Sequence, residues 1–187
     1  MVQPGVRIRA ISLACALALS ASLAGSTAAQ AGTGGTGPPG TATPSTVPGA
    51  KAKLVNGVAI PPASAPPEVQ EVIAAANRIN ELPYKWGGGH GKWTSKGYDC
   101  SGAVSYALHG GGFLDSPLDS GGLMRWGARG RGSWITVYTN RGHAYAEIAG
   151  LRWDTSGNAK GISGPRWHKN LRPHYRKHYR KRHAPGF

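Results

Sequence analysis

Three residues of this chain are suited by type to covalent chemistry: Cys100, His143 and Asp154. A cysteine attacks as its thiolate, and an imidazole can take the thiol's proton and later pass it to a leaving group. A carboxylate beyond the ring fixes the tautomer and steadies the imidazolium. The chain has two cysteines, Cys15 and Cys100, and seven histidines. His168, His174, His178 and His183 fall in a basic tail, where exposure to water accounts for them. His90 sits in a glycine loop, and His109 lies nine residues beyond the thiol on the same predicted helix, facing away from its first turn. His143 remains, opening a predicted strand after Gly142. The alternative role for Cys100 is a small hydrophobe in the core.

Two elements must bring these groups together. Asp99 is a good N-cap, the run from Cys100 to about Leu108 is helix-compatible, and Gly110, Gly111 and Gly112 end it. Cys100 then sits at the positive end of the helix dipole, which favours the thiolate. Beyond residue 132 the apolar period changes to two, predicting antiparallel strands over 133–139, 143–149 and 151–155. If Ala149 and Gly150 form a two-residue turn, Ile148 faces Leu151, Tyr145 faces Asp154 and His143 faces Ser156. His143, Tyr145 and Asp154 then share one sheet face, with His143 and Asp154 diagonal neighbours ~7–8 Å apart at the backbone. A register shift of one residue would turn Asp154 to the other face.

Earlier in the chain, Pro66 and Pro67, then Glu68 and Glu71, suit a helix start. Val69, Val72, Ile73, Ala76 and Ile79 follow at helical spacing, and Pro83 ends the element. The loop over 84–99 carries three consecutive glycines and two tryptophans. Residues 110–132 predict a glycine-rich loop with one short helix around 120–125.

The N-terminus predicts export. Arg7 and Arg9 precede the apolar run "AISLACALALSASLAG", and Ala29-Gln30-Ala31 fits a cleavage site, so residues 1–31 are expected to be a signal peptide that carries Cys15 away. An uncleaved anchor is the alternative. Residues 32–65 are Gly-, Pro-, Thr- and Ala-rich and are expected to be a disordered linker, which places a single catalytic domain at 66–187 with a basic segment from about 165. One remaining cysteine excludes a disulfide framework. The net charge is +14, and about +12 once the leader is removed, which favours anionic partners. In an exported protein these are peptidoglycan carboxylates and other anionic cell-envelope polymers, with no nucleic acid expected and no membrane anchor after cleavage.

The stretches "LPYKWGG" (82–88), "GYDCSG" (97–102), "GHAYAEI" (142–148) and "DTSG" (154–157) together resemble the NlpC/p60 family of papain-like cell-wall cysteine peptidases. The resemblance covers most of residues 68–157, and its specific part is "DCSG" following a Tyr-x-Trp-Gly-Gly loop. It implies an α+β, papain-like core with N-terminal helices packed on a small antiparallel sheet. It also implies hydrolysis of stem peptides, commonly between γ-linked D-glutamate and a diamino acid. Carried over by position, Cys100 is the nucleophile, His143 the base and Asp154 the third polar residue. Tyr84 would help hold the oxyanion, while Asp99 and Ser101 line the substrate groove. The chain departs from the pattern in reading "GSWITVY" before the histidine strand, in having Asp where His is frequent, and in the enlarged loop "GHGKWTSK".

The expected reaction is thiolate acyl transfer, with the backbone N–H of Cys100 and Tyr84 as oxyanion donors and no cofactor or metal. His174 and His178 have helical ligand spacing but lack the glutamate of a metal hydrolase and sit among cations. A wall-binding module with a structural cysteine, or a related amidase or acyltransferase, are the alternatives. The strip "RPHYRKHYRKRH" suits a wall-adhering tail. Of the six tryptophans, Trp86 and Trp93 are the candidates for a groove wall, and the others are expected in the core.

Overall fold

The computed structural model describes residues 45–172 and 178–187. The predicted signal peptide with Cys15, the linker up to residue 44, and His174 lie outside the described residues. The elements are β1 (Lys53–Val55), β2 (Val58–Ile60), α1 (Pro67–Ile79), α2 (Cys100–Gly110), α3 (Ser120–Leu123), β3 (Ala128–Arg129), β4 (Ile135–Thr139), β5 (Ala144–Ile148), β6 (Leu151–Asp154), β7 (Arg166–His168) and β8 (Arg180–His183). β3 to β8 form one six-stranded sheet in the order β3-β8-β4-β5-β6-β7. Every neighbouring pair in it is antiparallel. The chain is α+β, with α1 and α2 packed together and α2 laid on β5 and β6.

The sheet positions the chemistry because its register is fixed from both sides. Ala149 and Gly150 turn with φ of 45° and 85°, the left-handed pair that a tight hairpin requires. Ile148 therefore faces Leu151, and Ala146 faces Trp153, as the pairing arithmetic predicts. Ile135, Val137, Ala144, Ala146, Ile148, Leu151 and Trp153 are buried in the core shared with the helices. The Trp153 indole donates to Ala103 O at 3.1 Å, tying β6 to α2. A one-residue slip would move this whole apolar set to the other face, losing ~1.5–3 kcal/mol for each large side chain exposed.

The other sheet face is buried too, and it is polar: Thr136, Tyr138, Tyr145, Glu147, Arg152 and Asp154 are all buried. The Tyr138 hydroxyl donates to Glu147 Oε2 at 2.8 Å, and Arg131 Nη2 donates to the same oxygen at 3.3 Å. A strand buried on both faces shows little alternation of burial, as in β4, β5 and β6.

Two expectations are corrected. The segment 32–65 is not all linker, because residues 53–60 form the β1–β2 hairpin. Its turn is Asn56-Gly57, with φ of 47° and 80°, a strong hairpin signal beneath a misleading composition. Asn77 of α1 bonds both backbone groups of buried Ala59, accepting from its N–H at 3.1 Å and donating to its carbonyl at 2.8 Å. The folded unit thus begins before Pro66. The second correction concerns the basic C-terminal segment: β7 and β8 are part of the sheet, and β8 lies inside it between β3 and β4. Arg182 is buried and donates to Met124 O at 2.8 Å.

Candidate active site

Cys100 opens α2, and the predicted cap is present: Asp99 Oδ1 accepts from Gly102 N at 2.8 Å. The same carboxylate takes Gly87 N on Oδ2 at 3.1 Å and His90 Nε2 on Oδ1 at 3.0 Å. Ser101 Oγ donates to Asp99 Oδ1 at 3.2 Å and lies 3.2 Å from His90 Nε2. Asp99 and Ser101 therefore brace the glycine loop against the helix beside the thiol. The loop approaches closely because both sides are glycine: a Cβ on Gly102 would collide with Gly88 O. His90 gave no signal in sequence because it stands in a loop without periodicity.

His143 lies just before β5, where Asn140 Oδ1 accepts its backbone N–H at 2.9 Å. Its Nε2 is 3.0 Å from Asp154 Oδ1, leaving Nδ1 as the ring nitrogen for the thiol, whose pKa His143 lowers. The Asp154 side chain is 0% exposed and that of His143 is 18% exposed. Ser156 N and Oγ also donate to Asp154 Oδ1, at 2.9 and 3.1 Å. On the other oxygen, Arg172 Nε lies at 2.9 Å and Arg152 Nε at 3.4 Å.

The electrostatics follow from these contacts. Burial alone would raise the Cys100 thiol, but the His143 hydrogen bond and charge, with a hydrogen bond at the Ala144 backbone, outweigh it and bring the pKa below its usual value. Burial would likewise discourage a charged His143, yet the bonds to Asp154 and Cys100 push its pKa up to about 9. Burial opposes the Asp154 charge as well, and His143, then Arg172 and the Ser156 N–H, overcome it and keep the carboxyl below the ordinary range. A lowered thiol beside a raised imidazole favours transfer of the proton from sulfur to the ring, toward a thiolate–imidazolium pair.

Cys100 faces a cleft of about 330 Å³ lined also by Trp86, His90, Asp99, Ser101 and Arg141 among others, with His143 just outside the lining beside Gly142. Trp86 is 86% exposed and forms part of this wall. Trp93 does not line the cleft; it stacks on His109 with ring centroids 3.8 Å apart. Tyr84 is outside the lining as well, but its phenol senses Cys100: burial first, then the charges of Cys100 and Asp99, raise its pKa and keep it an O–H donor. His168 is corrected from a solvated tail residue to a half-buried one on β7, where burial and then Arg152 push its pKa down to about 4, so it is neutral. Arg141, Arg172 and Tyr179, which packs on Tyr145 with centroids 5.2 Å apart, are the site neighbours without a sequence signal. Among the described residues, no group of three or more His, Cys, Asp or Glu is arranged to hold a metal ion.

No protein-family model matches the chain. No curated protein matches it either. A solved structure that it resembles is the P60 domain of an antigen from M. avium subspecies paratuberculosis, at 21% identity and a TM-score of 0.44, covering 62% of this chain and 93% of that one.

Proposed function

We propose that this chain is an exported cysteine endopeptidase that hydrolyses stem peptides of peptidoglycan, at bonds of the γ-D-glutamyl–diamino acid type. The observation that carries this reading is a thiol at a helix start and at the wall of an open cleft, held down in pKa by an imidazole whose far nitrogen rests on a buried carboxylate. A structural cysteine has no use for that arrangement.

In the proposed mechanism the Cys100 thiolate attacks the carbonyl carbon, and the carbonyl oxygen becomes an oxyanion. The first-turn N–H groups of α2 and the Tyr84 hydroxyl are its donors; losing one such donor typically costs ~3–4 kcal/mol of transition-state stabilisation. His143 gives its Nδ1 proton to the departing amine as the C–N bond breaks, leaving a thioester. Neutral His143 then takes a proton from water, whose oxygen attacks the thioester, and the thiolate leaves as the carboxylate product is released. Asp154 stays ionised throughout and holds the ring.

The test is to incubate the full chain and its Cys100→Ala variant with purified peptidoglycan and weigh the released fragments. The wild type should liberate stem fragments carrying one added water, and the variant none. Equal products from both, or none from the wild type on several wall types, would sink the peptidase reading.

A further inference from the structure

We propose that Arg172 is a positioning residue for the Cys100–His143 pair, gripping Asp154 from the side away from the imidazole so that the carboxylate points at Nε2. This rests on the proposed thiol chemistry and extends it to a residue outside the motif-bearing part of the chain.

Asp154 has two oxygens with different tasks. Oδ1 meets His143 and both donors of Ser156, while Oδ2 faces cations. Arg172 links the two sides: its Nε lies 2.9 Å from Oδ2, and its Nη2 donates to Ser156 Oγ at 2.6 Å. Ser156 Oγ in turn lies 3.2 Å from His143 Nε2. One planar guanidinium thus pairs with the carboxylate and donates to the hydroxyl that flank Nε2, the ring nitrogen away from the thiol, an arrangement that the single ammonium of lysine does not reproduce. The Arg172 side chain is 15% exposed, and its guanidinium carbon stands 5.8 Å from the centroid of the Tyr145 ring.

Arg152 is not an equivalent. It pairs across the sheet with Glu147 on one side and His168 on the other, so its charge is shared between Glu147 and Asp154. The ionisable groups that act on or feel Asp154 are His143, Tyr145, Arg152, His168, Arg172 and Tyr179. His168 is neutral and the tyrosines keep their protons, so the positive charges are His143, Arg152 and Arg172. Arg166 faces Asp154 in the register, but its guanidinium is turned to the carbonyls of Leu82 and Pro165.

The sign of the effect follows. Arg172 favours the ionised carboxylate, so its removal lets Asp154 take up a proton at higher pH. A neutral Asp154 no longer supports the imidazolium, and the thiolate–imidazolium pair collapses to thiol and imidazole. The reactivity of Cys100 should therefore be lost earlier on the acid side.

The experiment measures iodoacetamide alkylation of Cys100 against pH in the full chain, Arg172→Gln and Arg172→Lys, with a thermal melt of each. Arg172→Gln should move the acid limb upward by about one pH unit, the low end of what a neighbouring opposite charge gives a carboxylate. Arg172→Lys should restore the limb but not the plateau rate, because it keeps the charge and loses the bridge to Ser156. An unmoved limb in a folded Arg172→Gln variant, whatever its melting temperature, overturns the proposal. If Arg172→Gln fails to fold, Arg172→Lys decides: a lowered plateau supports positioning, and a wild-type plateau overturns it. A wild-type chain alkylated only near an ordinary thiol pKa would remove the ion pair on which both readings stand. A shifted limb without peptidoglycan cleavage would remove the substrate alone.

Discussion

At the scale of single residues, the site works because burial opposes all three charges and their mutual contacts restore them. Asp154→Asn keeps the shape, but the amide offers Nε2 no charge and permits the wrong tautomer. Such a change lowers kcat by about 10⁴-fold in a comparable acid–histidine–nucleophile set, and the same order of loss is expected in peptidoglycan release. The pH dependence follows from His143. Its folded pKa is raised to about 9 from 6.5, so the imidazolium's contribution to stability is complete below the ordinary value and fades as pH rises through about 9. Cleavage should decline over the same interval, because the leaving amine loses its proton source, while alkylation of Cys100 should not decline there. A pH–rate profile measured with both reactions checks this. The juxtaposition of Cys100, His143 and Asp154 could be read from sequence because one thiol, one strand-opening histidine and one two-residue turn leave few arrangements. Arg172 could not be, since a basic segment without periodicity offers no means of ranking one arginine above another.

At the scale of elements, the thiol's position depends on a backbone contact between the start of α2 and the glycine loop before it. Gly102→Ala should force Gly88 away and tilt Cys100 from His143, destabilising the fold by ~1–3 kcal/mol as overpacking does. A urea melt and the alkylation rate should fall together. The β1–β2 hairpin is held by side-chain bonds from α1 to Ala59. Asn77→Ala removes both of them, and also the acceptor of the Trp167 indole at 2.9 Å. Leaving such groups without partners costs roughly 1–3 kcal/mol, so amide exchange over residues 53–60 should quicken markedly. Helices and the β4–β5–β6 meander could be read from period and turn chemistry alone. The hairpin was hidden because Pro and Ala around it suggested linker, although Asn56-Gly57 carried the contrary signal. β8 was hidden because "RKRH" has no apolar member, and its place in the sheet comes from backbone pairing and the polar face beside it.

At the scale of the whole molecule, positive charge is spread through the sheet as well as over the surface, and only the exposed part can meet an anionic wall. Adsorption to peptidoglycan should weaken with added salt, since the Debye length shortens to ~3 Å at 1 M, whereas the thermal melt should respond much less. A sedimentation assay across a salt series, run on Cys100→Ala to suppress turnover, separates the two. The insertion of β8 between β3 and β4 has a consequence for biogenesis. Residues 180–183 arrive some 80 positions after Cys100, and until they do, the β3 and β4 edges stand open. A nascent polypeptide halted before that point exposes unpaired strand edges and is prone to self-association.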